Sequence, residues 1–427
     1  MLRDFSKKEL KTFHDSLVKE YASYKDKHLS LDMSRGKPSS EQLDLSEDLL
    51  GIITKTEECI AADGTDCRNY GGLDGIKEAK DLFARILGMA SGEETIVGDS
   101  SSLNMMYDTV SRAMHFGVYG SEKPWGKYDK ISFLCPVPGY DRHFFICQTF
   151  GINMINIPTN DDGPDMDLIE KYVSEDETVK GIWCVPRFSN PEGKVYSDEV
   201  VRRFANLSPK AKDFRIFWDN AYAVHELEED APVLLNLMDE LRKTGKEDML
   251  FTYTSTSKIT FPGGGLAALG ASRNNIELIK NQMSAQTIGP NKINQLRHIR
   301  YFKNLDGVKA HMKLHAALLR PRFAAVFEEL DTIRDLGIAE WTEPKGGYFV
   351  SVDLTDGCAK RTIQLLKDAG VKMTPAGATF PYGVDPRDRN IRIAPSYPPV
   401  EELRVAMKMF CLCAKIAASE KLLEKLS

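Results

Sequence analysis

The sequence predicts an α/β protein with a mostly parallel central sheet and a second, smaller α+β domain. Between about residues 70 and 300, short apolar runs alternate with amphipathic stretches, the pattern of buried parallel strands covered by helices on both faces. After about residue 300, long helical patterns and short strand patterns follow without that alternation. The length of 427 residues exceeds what one ordinary hydrophobic core holds. We therefore expect a large domain over residues 50–300 and a small domain formed by residues 1–49 and 301–427.

The elements of the large domain follow from this alternation. Apolar runs predict strands over 130–136, 181–186, 215–219, 249–254 and 266–272. Amphipathic patterns predict helices over 75–89 and 197–208. Because parallel strands end at one edge of a sheet, polar residues that follow several strands are expected to meet there.

The small domain is predicted from longer helical patterns. The charged pattern at the start of the chain, to about residue 27, needs an apolar surface and is expected to pack on this domain. A helical pattern over 308–337 is interrupted at Pro321, since proline lacks the N–H that a helix needs. A helix around 358–369 and a final helix over 400–426 follow.

Composition and charge exclude several function classes. The net charge of −6 provides no basic surface for nucleic acid. No run approaches the roughly 18 apolar residues of a membrane span, and the N-terminal stretch lacks the apolar segment of an export signal. Several of the eight cysteines lie in apolar runs, as expected for reduced thiols, and the Cys411–Cys413 pair has no second Cys or His pair nearby. The sequence therefore predicts a cytoplasmic enzyme without a metal site.

Lys258 is the first candidate catalytic residue. It follows the apolar run 249–254, lies among small hydroxyl residues and precedes three glycines. A lysine at the carboxyl end of a buried strand is a nucleophile, a phosphate binder or a surface residue.

Other predicted strands are also followed by polar residues. Ser100, Ser101 and Ser102 precede a helical pattern, which predicts either an anion site or a plain helix cap. Asp219 ends a predicted strand and is either a functional acid or a helix cap. Tyr222 follows it by three residues. Further loops carry the candidates Asn190, in an Asn-Pro turn, and Tyr140.

Pyridoxal phosphate (PLP) chemistry needs all of these groups together. The cofactor forms a Schiff base with a lysine, and it requires an anion site for its phosphate and an acid at its ring nitrogen. It also needs a phenol or amide at its ring oxygen and an aromatic ring against its face. The lysine must lose its proton, which burial near other cations favours.

Short segments in a fixed order carry a family resemblance. They are NYGG (69–72), GDSSSL (98–103), PGY (138–140), SNPEG (189–193), DNAY (219–222), STSK (255–258) and RIAPSYP (392–398). This set resembles the fold-type I, class I aminotransferases over about residues 30–400. The segments MSRGKPS, SSLNMMYD and FPGGGLA are most similar to the divergent subgroup Ic of aspartate aminotransferases.

The resemblance implies roles for residues around the cofactor. Lys258 would carry PLP as a Schiff base and shuttle the substrate's α-proton, and Asp219 would pair with the pyridine nitrogen. Tyr222 and Asn190 would contact the ring oxygen, and Tyr140 would stack on the ring face. Tyr70 would reach the phosphate of a partner subunit's cofactor. The serines implied at the phosphate are Ser100, Ser101, Ser102, Ser255 and Ser257.

The resemblance also implies the substrate contacts and the reaction. Arg392 would hold the α-carboxylate in a bidentate pair, Asn190 would lie beside it, and Gly36 would let the backbone approach. The implied activity is ping-pong transfer of an amino group, expected from L-aspartate, to 2-oxoglutarate in a cytoplasmic homodimer.

Two departures from the family pattern affect the charged groups. No arginine follows Lys258 until Arg273, so the cation that meets the cofactor phosphate is not assigned. The segment expected to carry the arginine for a substrate's side-chain carboxylate offers Lys292 and Arg297, and neither clearly matches. The sequence does not rank Arg35, Lys37 and Lys292 for that role.

Several alternatives stay open at the level of sequence. The same fold hosts aminotransferases for aromatic donors or alanine, and C–S or β-lyases. A non-catalytic PLP-binding sensor would need a DNA-binding module, and the roughly 30 residues before MSRGKPS are too few to form one. STSK fits a serine acyl-enzyme motif, but KTG at 243–245 precedes it instead of following. His311 and His315 have metal-ligand spacing, although a packed or solvated helix face explains them better.

Overall fold

The apolar runs form strands, and the amphipathic stretches between them form helices. A computed structural model describes residues 1–26, 29–98 and 100–426. The strands are β1 (Leu31–Asp32), β2 (Thr95–Gly98), β3 (Ser132–Val137), β4 (Asn153–Asn160), β5 (Gly163–Pro164), β6 (Val179–Cys184), β7 (Arg215–Asp219), β8 (Leu250–Ser255), β9 (Ala267–Ala271), β10 (Ala339–Trp341), β11 (Val350–Leu354), β12 (Val371–Lys372) and β13 (Asn390–Ile393).

The α-helices cover both faces of the main sheet and build most of the small domain. They are α1 (Lys7–Lys25), α2 (Ser40–Asp44), α3 (Asp48–Gly51), α4 (Lys77–Leu87), α5 (Ser102–Phe116), α6 (Asp141–Thr149), α7 (Met166–Glu175), α8 (Asp198–Asn206), α9 (Leu237–Thr244), α10 (Arg273–Met283), α11 (Lys292–Phe302), α12 (Leu305–Asp331), α13 (Ala359–Asp368) and α14 (Val400–Lys425).

The central sheet confirms the predicted α/β class. Its strand order is β2-β9-β8-β7-β6-β3-β4-β5 within the described residues. The neighbours from β8 to β4 are parallel, whereas β9 is antiparallel to both β8 and β2, and β5 is antiparallel to β4. A parallel return would need a crossover of a dozen or more residues. The segment 256–266, which contains Lys258, is shorter, so β9 runs back beside β8.

Strand β7 shows why helices cover both faces. Ile216 and Trp218 belong to an apolar core with α4, α8 and α9, whereas Phe217 belongs to a core with α5, α6 and α10. Alternate side chains of a strand point to opposite faces. Asp219 therefore lies on the same face as Phe217, towards α5 and α6.

Three strands of the central sheet were not predicted: β2, β4 and the two-residue β5. β4 has the burial pattern of a partly exposed strand near the sheet edge, so polar residues and Pro158 weaken its apolar signal. β2 has four residues at the other edge. A strand this short gives little periodicity to detect.

The C-terminal region has its own antiparallel sheet, β10-β11-β13, and β1 pairs in parallel with β12. Leu10 and Leu17 of α1 join a core with α12, α13 and α14. The expectation that the N-terminal helix packs here is therefore confirmed. No helix in the described part of the chain is long and apolar enough to cross a membrane.

The predicted interruption at Pro321 is wrong. Helix α12 continues through Pro321 from Leu305 to Asp331. A proline inside a helix removes one backbone hydrogen bond and costs about 3 kcal/mol. Buried side chains on both sides, including Leu319 and Phe323, offset that cost by packing in the core, and Arg322 Nη1 donates to the Leu318 carbonyl at 2.6 Å.

The apolar core of the C-terminal part of the chain also includes residues from the predicted large domain, 50–300. Val185, Phe188, Tyr222 and Leu227 pack with side chains of α12, β11 and α14. The apolar contacts thus cross the boundary near residue 300. The division into 50–300 and 1–49 with 301–427 remains our proposal.

Replacing Phe410 by alanine tests the small-domain core. Phe410 of α14 is fully buried among apolar side chains, so we expect Phe410→Ala to lower the free energy of unfolding by about 3–5 kcal/mol. Leu314→Ala is the control, because Leu314 is 52% exposed, and it should change that free energy by about 0.5 kcal/mol or less. Urea unfolding measures both, and equal losses would contradict the assigned core.

Candidate active site

A cavity of about 130 Å³ lies at the carboxyl edge of the central sheet. Its lining is Ser101, Ser102, Leu103, Met106, Tyr140, Val185, Asn190, Asp219, Ala221, Tyr222, Ser255, Ser257 and Lys258. Most of the residues singled out from the sequence for a cofactor therefore meet in one place. Asp99, which lies between Gly98 and Ser100 in the chain, is outside the described residues.

The sheet topology explains this convergence. Tyr140 follows β3, Asn190 follows β6, and Asp219 is the last residue of β7. Ser255 ends β8, and Lys258 lies in the turn after it. These parallel neighbours end at the same edge, so residues far apart in sequence line one cavity.

Lys258 is half-buried in its turn. Its Nζ lies 5.3 Å from the ring centroid of Tyr222 and 5.9 Å from that of Tyr348. Desolvation lowers the pKa of Lys258, the Asp219 carboxylate opposes this shift, and Arg392 adds to it. The amine is therefore neutral at a lower pH than that of an exposed lysine.

The turn of Lys258 is anchored by two buried histidines. The Ile259 carbonyl accepts hydrogen bonds from Nε2 of His311 at 2.8 Å and from Nε2 of His315 at 3.0 Å. Burial lowers the pKa of His315 to about 4, and His311 adds to the shift. The preferred interpretation of a packed helix face is confirmed, and the described residues contain no cluster suited to a metal ion.

Asp219 has one paired and one unpaired carboxylate oxygen. Oδ2 lies 3.0 Å from Nε2 of His143, whereas Oδ1 is buried without a hydrogen-bond partner among the described residues. A buried acceptor without a donor is costly, so this oxygen fits the N–H of a protonated pyridine ring. The sequence analysis missed His143. It follows Tyr140 by about one helical turn and directly precedes the apolar run 144–147, and that spacing from Tyr140 was the available signal.

His143 is itself held by aromatic rings. It stacks on Trp183 with centroids 4.4 Å apart and planes 8° apart, and it meets Tyr140 edge-on at 5.0 Å. The ring is buried, and its contacts fix its orientation towards Asp219. These contacts keep the carboxylate from rotating away from the cavity.

The serines serve as a helix cap and line the cavity. Ser101 accepts a hydrogen bond from the backbone N–H of Leu103 at 3.2 Å and caps the N-terminus of α5. Ser257 Oγ donates to the Ser100 carbonyl and accepts from Ser255 Oγ. Ser100 thus contributes its carbonyl here, whereas Ser101 and Ser102 line the cavity. A helix N-terminus with hydroxyls suits a phosphate, and within the described lining the cation is Lys258.

Arg392 reaches the other side of this region from β13. Its Nη1 lies 3.2 Å from Oδ1 of Asn190 and 3.2 Å from Oδ1 of Asp141. Its guanidinium carbon lies 4.7 Å from the ring centroid of Phe349. The arginine is buried, which strengthens its attraction for a carboxylate relative to water.

Gly36 packs against the ring that supports this arginine. A Cβ at Gly36 would lie 2.4 Å from Cζ of Phe349, too close for any real contact. Any side chain at residue 36 would therefore require the ring of Phe349 to move. Gly36 thus contacts Phe349, and the ring of Phe349 contacts Arg392.

The unranked cations are now separated. Lys292 is buried and donates to the carbonyls of Asn69 at 2.7 Å and Gly71 at 2.6 Å. Arg297 donates to the Leu49 carbonyl. Both are engaged with backbone, and Lys37 Nζ lies 3.7 Å from the ring centroid of Tyr397. Arg35 is exposed.

Tyr70 lies outside the cavity and is 81% exposed. Lys292 bonds the carbonyls on both sides of it and so fixes the loop that presents its ring. An exposed tyrosine on a fixed loop offers an aromatic ring and a hydroxyl to a neighbouring molecule.

Known proteins resemble this chain over its whole length. The profile of the family described as aspartate amino-transferase matches residues 5–426. An aspartate aminotransferase of Corynebacterium glutamicum is 45% identical over 420 residues, which cover 98% of this chain and 96% of the relative. The crystal structure of an aspartate transaminase from that species has a TM-score of 0.96 at 45% identity and covers 99% of each chain.

A more distant structure shows how widely this fold is shared. The α-aminoadipate aminotransferase LysN of Thermus thermophilus, complexed with N-(5'-phosphopyridoxyl)-L-leucine, has a TM-score of 0.72 at 18% identity. The match covers 96% of both chains. At that identity the likeness concerns the fold alone.

The lowered pKa of Lys258 predicts selective reactivity. We expect the apo-protein to react with a small aromatic aldehyde at Lys258 with a midpoint below the ordinary lysine pKa of 10.5, because the amine loses its proton earlier. Borohydride trapping at several pH values, followed by peptide mass spectrometry, measures the midpoint. Lys212, whose side chain is 82% exposed, is the internal control.

Asp219 supplies a second arm of this experiment. Its carboxylate raises the pKa of Lys258, so Asp219→Asn should move the Lys258 midpoint to still lower pH and leave Lys212 unchanged. A Lys258 midpoint equal to that of Lys212 would contradict the desolvated environment.

Proposed function

Because the chain belongs to the aspartate amino-transferase family, we propose that it transfers the amino group of L-aspartate to 2-oxoglutarate in two alternating half-reactions at one site. The protein is a PLP-dependent aminotransferase. When bound, PLP supplies a carbonyl that condenses with amines and a ring that withdraws electrons from the substrate's α-carbon. The observation that carries the proposal is the cavity shared by Lys258, Asp219 and Asn190, with Arg392 bonded to Asn190.

The residues around this cavity fit the cofactor. We propose that Asp219 Oδ1 accepts the ring N–H, since this buried oxygen has no other partner in the described chain. Burial raises the pKa of Tyr222 well above its usual value, so its hydroxyl stays protonated and can donate. The remaining proposed contacts are Tyr140 with the ring face, Asn190 with the ring oxygen, and Ser101, Ser102, Ser255 and Ser257, with Ser100, at the phosphate.

Lys258 is proposed to move the proton. Its desolvated amine would act as the base that takes the proton from the substrate's α-carbon. The same group would then act as the acid that gives this proton to the cofactor. The lowered pKa increases the neutral fraction of Nζ at physiological pH. The Ile259 carbonyl and its two histidines hold the turn, which limits the positions that Nζ can reach.

Arg392 is proposed to bind the α-carboxylate that amino acids and oxo acids share. A guanidinium presents parallel N–H groups that match a carboxylate. Asn190 lies beside it, and Gly36 lets the chain pass against Phe349, on which the guanidinium packs. The choice of L-aspartate as donor rests on the 45% identical relatives named for that substrate.

The proposed assembly is a cytoplasmic homodimer. Tyr70 is exposed on its fixed loop, and we propose that it reaches the cofactor phosphate of a second copy. All eight cysteines are buried and free of disulfides, which supports a reducing compartment.

An absorbance titration tests the function. We expect the holoenzyme's cofactor band to shift on addition of L-aspartate and to return with 2-oxoglutarate, because each substrate converts the cofactor into the form that accepts the other. Lys258→Ala should lower kcat by about 10²–10⁴-fold, since the acid–base group is lost. A band that ignores aspartate but shifts with alanine or an aromatic amino acid would overturn the donor and keep the enzyme class.

Mixing two defective variants tests the shared site. Tyr70→Ala and Lys258→Ala should each have low activity, and a mixture refolded together should regain activity, because a hybrid dimer has one site free of both substitutions. The control is a mixture of the two folded variants that have not been refolded together, so that their subunits have not exchanged. If tagged subunits show by light scattering that hybrid dimers have formed and activity still does not recover, the proposed role of Tyr70 is contradicted.

A further inference from the structure

Arg392 already binds a carboxylate of the protein itself. Asp141 Oδ1 lies 3.2 Å from Nη1, and the side chain of Asp141 is 36% exposed, compared with 8% for Arg392. Asp141 is the first residue of α6 and directly follows Tyr140 of the cavity. Its carboxylate thus lies between the N-terminus of α6 and the guanidinium of Arg392.

The N–H groups of Arg392 are unequally occupied. Nη1 donates to both Asp141 and Asn190, whereas Nη2 has a weak contact with Thr374 Oγ1 at 3.5 Å. Nε is buried and finds no partner in the described part of the chain. A bidentate carboxylate uses two neighbouring nitrogens. A carboxylate that takes the Nη1–Nη2 end displaces one of the two Nη1 partners, Asp141 or Asn190.

Asp141 is the partner that leaves more readily. It carries a negative charge that repels an incoming carboxylate, and its partial exposure gives it an alternative in water. Asn190 is neutral and buried. We propose that Asp141 is a placeholder for the substrate α-carboxylate: it holds Arg392 in the substrate-free enzyme and competes with every substrate for Nη1. This inference rests on the proposed role of Arg392.

A placeholder has a specific kinetic signature. It weakens amino acid and oxo acid binding alike, because both present the same α-carboxylate, and the contact involves no reacting atom. Its removal should therefore lower KM for both substrates by a common factor without raising kcat. A purely structural role, in which Asp141 only orients Arg392, predicts the opposite: removal would weaken substrate binding.

The test compares Asp141→Asn with Asp198→Asn. Asp198 is a matched control, because it is also the first residue of its helix, α8, and pairs with Arg202 at 3.2 Å. The probe is propionate, which has one carboxylate and no amino group, titrated into each holoenzyme by calorimetry. We expect Asp141→Asn to lower the Kd of propionate by about 3- to 10-fold and Asp198→Asn to leave it unchanged. Asp141→Glu should restore a value near that of the unmodified enzyme.

Unchanged or weaker propionate binding in Asp141→Asn would overturn the placeholder. Arg392→Ala separates this result from a failure of the proposed function. If Arg392→Ala abolishes propionate binding while Asp141→Asn has no effect, Arg392 binds carboxylates and Asp141 is no competitor. If Arg392→Ala leaves propionate binding intact, the proposed clamp itself is wrong, and the placeholder is overturned with it.

Discussion

The active site depends on one partly buried amine that no described residue holds in an ion pair. Lys258 is desolvated, yet the nearby Asp219 is directed elsewhere, because His143 binds one of its oxygens. Burying an amine costs free energy, so the segment that carries it must be rigid. That rigidity comes from the short return between β8 and β9 and from the bonds of His311 and His315 to the next carbonyl. The fold therefore keeps a base in a position that an unconstrained loop could not maintain.

Besides the bonds of His311 and His315 to the Ile259 carbonyl, further contacts link the proposed small domain to this site. Arg392 projects from β13 to Asn190. The Thr379 carbonyl accepts a hydrogen bond at 2.7 Å from the backbone N–H of Gly139, next to Tyr140. A movement of the proposed small domain relative to the central sheet would therefore change the position of Arg392 relative to Asn190 and would act on the Tyr140 loop through the Gly139–Thr379 hydrogen bond. Domain closure excludes water from the active sites of many enzymes.

Sequence reasoning located the elements whose signals are local. The strand at 215–219 was predicted with its observed ends, because a buried strand is a continuous apolar run. The site followed from strand ends that share one sheet edge. What was missed depends on tertiary contacts: α12 tolerates Pro321 because its flanks are buried, and His143 matters only because Asp219 lies across from it. The engagement of Lys292 with backbone carbonyls likewise needs the folded loop.

The packing of Gly36 on Phe349 also constrains how this protein can diversify. Any side chain at residue 36 collides with the ring, and a smaller residue at 349 would leave the guanidinium of Arg392 without its aromatic support. A smaller residue at 349 would make room for a side chain at residue 36, but it would also remove the aromatic support of Arg392. The two positions therefore constrain each other, and we expect both to vary little among descendants of this protein.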